Sequence, residues 1–127
     1  MLLVDRSELS PDGEVVSEYT VPDAPYYTHG HFPGNPIVPG VILCEIMAQG
    51  SVLPFQDKLK DKLALYAGMD KVRFKRTVRP GETVTVRSTM GNCRGLFLSV
   101  NATAYVNHEL CASGLLSFML VDKAIEN

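Results

Sequence analysis

Apolar residues crowd one stretch of this chain and alternate with polar ones through most of the rest. From Gly40 to Leu53 the sequence runs Gly-Val-Ile-Leu-Cys-Glu-Ile-Met-Ala-Gln-Gly-Ser-Val-Leu. These 14 residues predict one helix, about 21 Å long at 1.5 Å per residue. Only two long polar side chains, Glu45 and Gln49, interrupt it. A helix that is apolar on every side is expected to be buried. Glu45 is therefore predicted to be a buried carboxylate, which is costly unless it is hydrogen-bonded or has a chemical task. Gln49, one turn later, shares its face and is the expected partner.

Around this helix the pattern predicts strands. Glu14 to Val21 is one, and from Leu63 onward the period becomes two. Over Lys71 to Arg79 the odd positions read Lys71, Arg73, Lys75, Thr77 and Arg79, and the even ones begin Val72 and Phe74. That predicts a strand with one basic and one partly apolar face. Val84, Val86 and Met90 form the apolar side of the next strand, and Leu96, Leu98, Val100, Ala102, Ala104 and Val106 that of another. Leu110, Ala112, Leu116, Phe118 and Leu120 share a parity in the last. Turns are expected at Ser10-Pro11-Asp12-Gly13, Gly91-Asn92 and Asn107-His108. Met1 to Arg6 reads as a strand or arm, and Phe55 to Leu63 as a short helical turn on the surface. Strands packed on one apolar helix predict an α+β fold, a curved antiparallel sheet around a central helix. Its outer strand would present an open edge, which a homodimer continuing the sheet would cover.

Length and composition narrow the class. The 127 residues suit a single domain spanning 1–127. The net charge of −2 argues against bulk nucleic-acid binding. Cys44, Cys93 and Cys111 are too far apart for a Cys-x-x-Cys motif, and their apolar settings predict reduced core thiols in a cytoplasmic protein. No apolar run reaches the roughly 20 residues that span a membrane, and residues 1–4 are too short for a signal peptide.

The chemistry gathers just before the helix. Residues 29 to 40 read His-Gly-His-Phe-Pro-Gly-Asn-Pro-Ile-Val-Pro-Gly, a rigid loop that carries His31 into the helix bearing Glu45. Free N–H groups at the helix start, Gly40, suit an anion or a developing oxyanion. Imidazole, carboxyl and oxyanion donors together can remove a proton beside a carbonyl and expel a leaving group. The same residues also allow a plainer reading: a Gly/Pro turn, a surface histidine and a core carboxyl satisfied by Gln49. Tyr26 and Tyr27 are expected to pack beneath the loop, and His108 to be exposed in its turn. His29-x-His31 could chelate a metal, but no further ligand cluster accompanies it, so no metal and no cofactor are expected. No Gly-x-x-x-x-Gly-Lys-Ser/Thr loop occurs to hold a nucleotide.

Two blocks resemble a known family. His-Phe-Pro-Gly-Asn-Pro-Ile-Val-Pro-Gly-Val at 31–41, followed by Glu-Ile-Met-Ala-Gln at 45–49, resembles the signature of hotdog-fold 3-hydroxyacyl-[acyl-carrier-protein] dehydratases of the FabZ type. Met-Asp-Lys-Val-Arg-Phe-Lys-Arg at 69–76 with Pro80-Gly81, and Leu2-Leu3-Val4-Asp5-Arg6 near the start, resemble the same family. Members usually carry a further helical segment upstream, which this chain is expected to lack.

The resemblance implies a hotdog fold and dehydration of (3R)-3-hydroxyacyl-[acyl-carrier-protein] in fatty-acid synthesis or a related acyl pathway. It implies His31 as the base, Glu45 as the acid and the Gly40 N–H on the thioester oxygen. Phe32 and Val41 would meet substrate, and Gln49 would support Glu45. It also implies an active site built across two subunits of a homodimer or a trimer of dimers, with an acyl carrier protein as partner. Carrier proteins are acidic, so Lys71, Arg73, Lys75 and Arg79 are the expected docking residues, the plainer alternative being a solvated strand face. Glutamate at 45, where FabA-type dehydratase-isomerases have aspartate, implies dehydration without double-bond isomerisation. His29 and Thr77 depart from the family pattern, where a glutamine and a proline are common. The alternatives are an acyl-CoA hydratase or thioesterase on the same fold, or a non-catalytic acyl-thioester binder.

Overall fold

A computed structural model describes residues 2–23, 36–52 and 61–122. Among them six strands pair antiparallel in one sheet: β1 (Arg6–Leu9), β2 (Val15–Thr20), β3 (Lys62–Phe74), β4 (Thr83–Arg94), β5 (Phe97–Val106) and β6 (Glu109–Asp122). One helix, α1 (Gly40–Val52), lies between β2 and β3 in the chain. The sheet order is β1-β2-β4-β5-β6-β3. Helix and sheet are the α+β arrangement expected from the sequence. The wall that faces α1 comes from one parity of each central strand: Val15, Ser17 and Tyr19; Val84 and Val86; Leu98, Val100, Ala102, Ala104 and Val106; Ala112, Leu116 and Phe118. All are buried, because side chains two apart on a strand share a face.

The turns decide the register. Gly13, at φ +92°, closes the β1–β2 hairpin, with Ser10 and Glu14 bonded across it. Asn107 and His108 both take positive φ, 50° and 67°, as a two-residue hairpin turn requires. The turn expected at Gly91-Asn92 is not there. Both residues lie inside β4, beside a register shift between Met90 and Cys93, and the chain reverses at Gly95, φ +58°. Gly91 is instead a site of close approach: a Cβ there would stand 2.8 Å from Ser99 Oγ, which bonds the Asn92 N–H at 2.8 Å. Met90 and Leu96, expected in the apolar face, are exposed, Met90 at the register shift in β4 and Leu96 in the turn after it. Cys93 shares that exposed stretch and is not a core thiol; Cys44 is half-buried and Cys111 buried.

Three other expectations change. The helix is apolar but not enclosed on every side. Leu43, Ile46, Met47 and Ala48 are buried, whereas Val41 in its first turn is 74% exposed. The basic strand ends early: β3 stops at Phe74 and shifts register between Asp70 and Arg73, with Lys71 at φ 53°. Lys71, Arg73, Lys75 and Arg79 therefore do not share one strand face, although all four are exposed. The surface turn over 55–63 falls mostly outside the described residues, and Lys62 and Leu63 already belong to β3.

Helix and sheet approach closely at Gly50. A Cβ there would stand 3.1 Å from Ser17 Cβ and 3.4 Å from Val86 Cβ, and Ser17 Oγ donates to the Gly50 carbonyl at 2.6 Å. Gly50→Val is expected to push the helix off the sheet and lower unfolding stability by about 1–3 kcal/mol. Chemical denaturation reads this directly. An unchanged midpoint would mean that the contact has slack.

Candidate functional site

Glu45 sits in the second turn of α1 and is half-buried, not fully buried as the apolar run suggested. Its partner is the one expected: Gln49 Nε2 donates to Glu45 Oε1, at a long 3.4 Å. The orientation of that amide is fixed from its other end. Gln49 Oε1 accepts the Leu3 N–H at 2.7 Å, and an N–H can only donate, so the amino group is turned to Glu45. Leu3 is 1% exposed, so the N-terminal arm is packed under this contact. The Gln49–Glu45 pairing was legible from helical spacing. The arm's part in it was not, since no local signal links positions 46 residues apart.

The helix N-terminus lies nearby. Ile42 and Leu43 both donate to the Pro39 carbonyl at 3.0 Å. The first N–H groups, at Gly40 and Val41, have no acceptor within the helix, and no acidic side chain occupies the first turn. Phe74 closes one side: a Cβ on Gly40 would meet its ring at 3.2 Å. Here glycine serves close approach. Around it runs an apolar groove of about 420 Å³, lined among others by Ile37, Val38, Leu43 and Val78. Lys75 and Arg76 stand at its rim.

Sequence reasoning missed Tyr66. It lies on β3 opposite Phe118, its ring 6.0 Å from that core ring, and is 40% exposed. Burial pushes its hydroxyl pKa upward, and the neighbouring acidic groups of Cys44 and Glu45 add to the shift. Tyr66 is thus a protonated phenol within electrostatic reach of Glu45. The only prior signal was an aromatic at the helix-facing parity of a strand. Burial likewise pushes the Cys44 thiol up, with a smaller contribution from Glu45, so it is a poor nucleophile.

His31 and Phe32, with Tyr26, Tyr27 and His29, lie outside the described residues. Val41 is on the exposed side of the first turn. Lys71 lines a separate groove on the outer sheet face with Arg87 and Glu14, Arg73 pairs across from Ser113, and Lys75 donates its N–H to the Cys111 carbonyl at 2.7 Å. Arg79 N–H bonds Glu82 Oε1 at 2.8 Å. His108 is exposed in its turn. Among the described residues no three His, Cys, Asp or Glu side chains gather as metal ligands. No helix among them is long and apolar enough to cross a membrane.

Comparison with known proteins gives the arrangement its relatives. Residues 7–114 match the ApeI-like family, described as ApeI dehydratase. The chain is 42% identical to 3-hydroxyacyl-[acyl-carrier-protein] dehydratase FabZ of Streptococcus pneumoniae over 94% of this chain and 87% of that one. Identity to the Streptococcus pyogenes FabZ is also 42%, over 93% and 86%. Among solved structures, the fluoroacetyl-CoA thioesterase FlK superposes with a TM-score of 0.76, covering 98% of this chain and 90% of that one at 16% identity. The dehydratase heterocomplex ApeI:P from Xenorhabdus doucetiae gives 0.67 at 16% identity, covering 94% and 98%. These two likenesses speak for the fold, which is the hotdog fold. The match in sequence, carried over nearly the whole length, is what separates the dehydratases from their structural cousins: this chain belongs to the FabZ and ApeI-like dehydratases, hydro-lyases of the hotdog fold.

Proposed function

We propose that this chain converts (3R)-3-hydroxyacyl-[acyl-carrier-protein] to the trans-2-enoyl thioester with His31 as base and Glu45 as acid. The observation that carries the reading is Glu45 one turn beyond a helix N-terminus whose first turn holds no acidic side chain, its partner amide oriented by Leu3. Five residues along a helix rise about 7.5 Å, and a helical side chain leans toward the N-terminus, so the carboxyl approaches the Gly40 N–H. One short acyl head group can then span both. His31 takes the proton from C2, and the thioester oxygen gains negative charge against the Gly40 N–H. The C3–O bond breaks as Glu45 gives its proton to the departing hydroxyl, which leaves as water. A proton passed from His31 back to Glu45 restores the starting state. Phe32 and Val41 would contact the acyl head.

A homodimer, or a trimer of dimers, completes the reading. β3 is 13 residues long, pairs only with β6 among the described strands, and exposes Leu65, Tyr66 and Phe74. A second copy continuing the sheet there would cover that edge and shield Glu45. In such a dimer the histidine of one subunit would serve the glutamate of the other, as the family resemblance implies. The partner is an acyl carrier protein, soluble and acidic, which fits a cytoplasmic enzyme. Thioester hydrolysis, the activity in the name of FlK, is the second reading, since a shared fold does not separate the two. Rates on a 3-hydroxyacyl carrier protein and on the coenzyme A analogue decide the carrier: the carrier-bound form is expected to react faster, and a preference for coenzyme A would refute it.

The four basic residues now carry docking as separate exposed charges. Charge reversal at Arg73 and Lys75 is expected to raise KM for carrier-bound substrate well above its effect on the coenzyme A analogue, with kcat nearly constant. The effect should shrink with salt, as the Debye length falls from about 10 Å at 0.1 M to about 3 Å at 1 M. Equal losses on both substrates would assign these residues to the fold or the active site instead.

A further inference from the structure

Arg76 lies within the basic run 71–79, yet its guanidinium is engaged by the protein itself. Nη2 and Nη1 reach the two carboxylate oxygens of Glu82 at 2.7 and 3.1 Å, and Nε lies 3.1 Å from Glu109 Oε1. Nη1 also donates to the Thr77 carbonyl at 3.1 Å. The backbone N–H groups of Lys75 and Arg76 both donate to the Cys111 carbonyl, at 2.7 and 3.3 Å. One planar fork thus closes the 75–82 loop on itself and fastens it to the start of β6. Burial is partial, with about a quarter of each of the Arg76 and Glu82 side chains exposed.

That loop in turn holds the chain on both sides of the His31 stretch. Val21 N–H donates to the Glu82 carbonyl at 2.9 Å, Gly81 N–H to the Val21 carbonyl at 2.8 Å, and Val38 N–H to the Val78 carbonyl at 2.7 Å. Val21, Val38 and Val78 are all buried. Val21 precedes His31 in the chain and Val38 follows it, two residues before Gly40. Both stems and the helix start therefore hang from one loop, and Arg76 is the rivet of that loop.

We propose that Arg76 is a positioning residue for the dehydration: through Glu82 and Val78 it holds Val21 and Val38, the described residues that flank the His31 stretch in the chain, and with Val38 the start of the helix that presents the Gly40 N–H. The inference rests on the roles given to His31 and Gly40 above. Lysine cannot replace it, because a single ammonium lacks the fork that serves Glu82 and Glu109 at once.

Arg76→Lys in the full chain tests this. With the fold retained by circular dichroism, kcat is expected to fall by about 10- to 100-fold, the scale of a small misplacement of reacting groups, with KM changed less than about twofold. Amide exchange at Val21, Val38 and Gly81 should quicken while Val100 to Ala104 in β5 stay protected. A raised KM with kcat intact would make Arg76 a docking charge, and a lower melting point with kcat intact would make it structural only; either overturns the proposal. If Arg76→Lys does not fold, Glu82→Gln, which weakens one arm, carries the same expectations. His31→Ala measured alongside keeps the two readings apart: full activity there refutes the role of His31, and the exchange data then decide alone whether the loop is riveted by Arg76.

Discussion

His31→Ala and Glu45→Gln are each expected to cut turnover by a factor on the order of 10² or more while leaving the melting point near that of the unaltered protein. Glu45 is half-buried, and its only side-chain hydrogen bond among the described residues is the long one from Gln49. An amide of the same shape therefore costs the fold little. What it removes, in the proposed mechanism, is the proton for the leaving hydroxyl. Steady-state rates on carrier-bound substrate read the loss. If the site spans two subunits, mixing the two inactive variants under subunit exchange should restore part of the activity, because some heterodimers contain one intact pair. A variant that keeps a near-normal rate would strip its residue of the assigned role.

The largest stability loss is expected at Phe118→Ala, about 3–5 kcal/mol, against a total of about 5–15 kcal/mol for a typical domain. Phe118 is 1% exposed and pairs with Leu98 on β5 and Tyr66 on β3, so its ring ties three adjacent strands beneath the helix. Removing it leaves a cavity that the sheet backbone cannot close. It also removes the ring that backs Tyr66 beside Glu45. Urea unfolding should show the full loss, and Phe118→Leu, which keeps most of the volume, a smaller one. A loss under about 1 kcal/mol for the alanine variant would mean that the core collapses to fill the space.

Much of this fold was legible where local pattern and tertiary demand agree. The apolar run gave α1, its spacing gave the Gln49–Glu45 pair, and Asn107-His108 gave a turn that needs two positive φ values. Expectation failed where packing overrode pattern. β1 is polar and holds by pairing with β2, so Arg6–Leu9 carries no strand signature. At Gly91-Asn92 a turn-like dipeptide is absorbed into a strand, because the glycine admits Ser99 against its backbone. The basic alternation from Lys71 ran past the real strand end at Phe74, and a count of charges could not separate exposed Lys75 from the internally bonded Arg76. The proposed site was readable only as a motif, histidine, helix start and glutamate lying close in sequence. Its proposed surroundings were not: Leu3 meets Gln49, and Arg76 meets Glu82 and Glu109, only through the fold.

Mass analysis of the carrier after reaction tests the central claim most directly. Purified protein incubated with (3R)-3-hydroxyacyl carrier protein should leave the acyl group attached and lighter by one water, with the enoyl product absent from the Glu45→Gln reaction. Free carrier with the acyl group released would instead identify a thioesterase, and an unchanged carrier would contradict a catalytic role on this substrate.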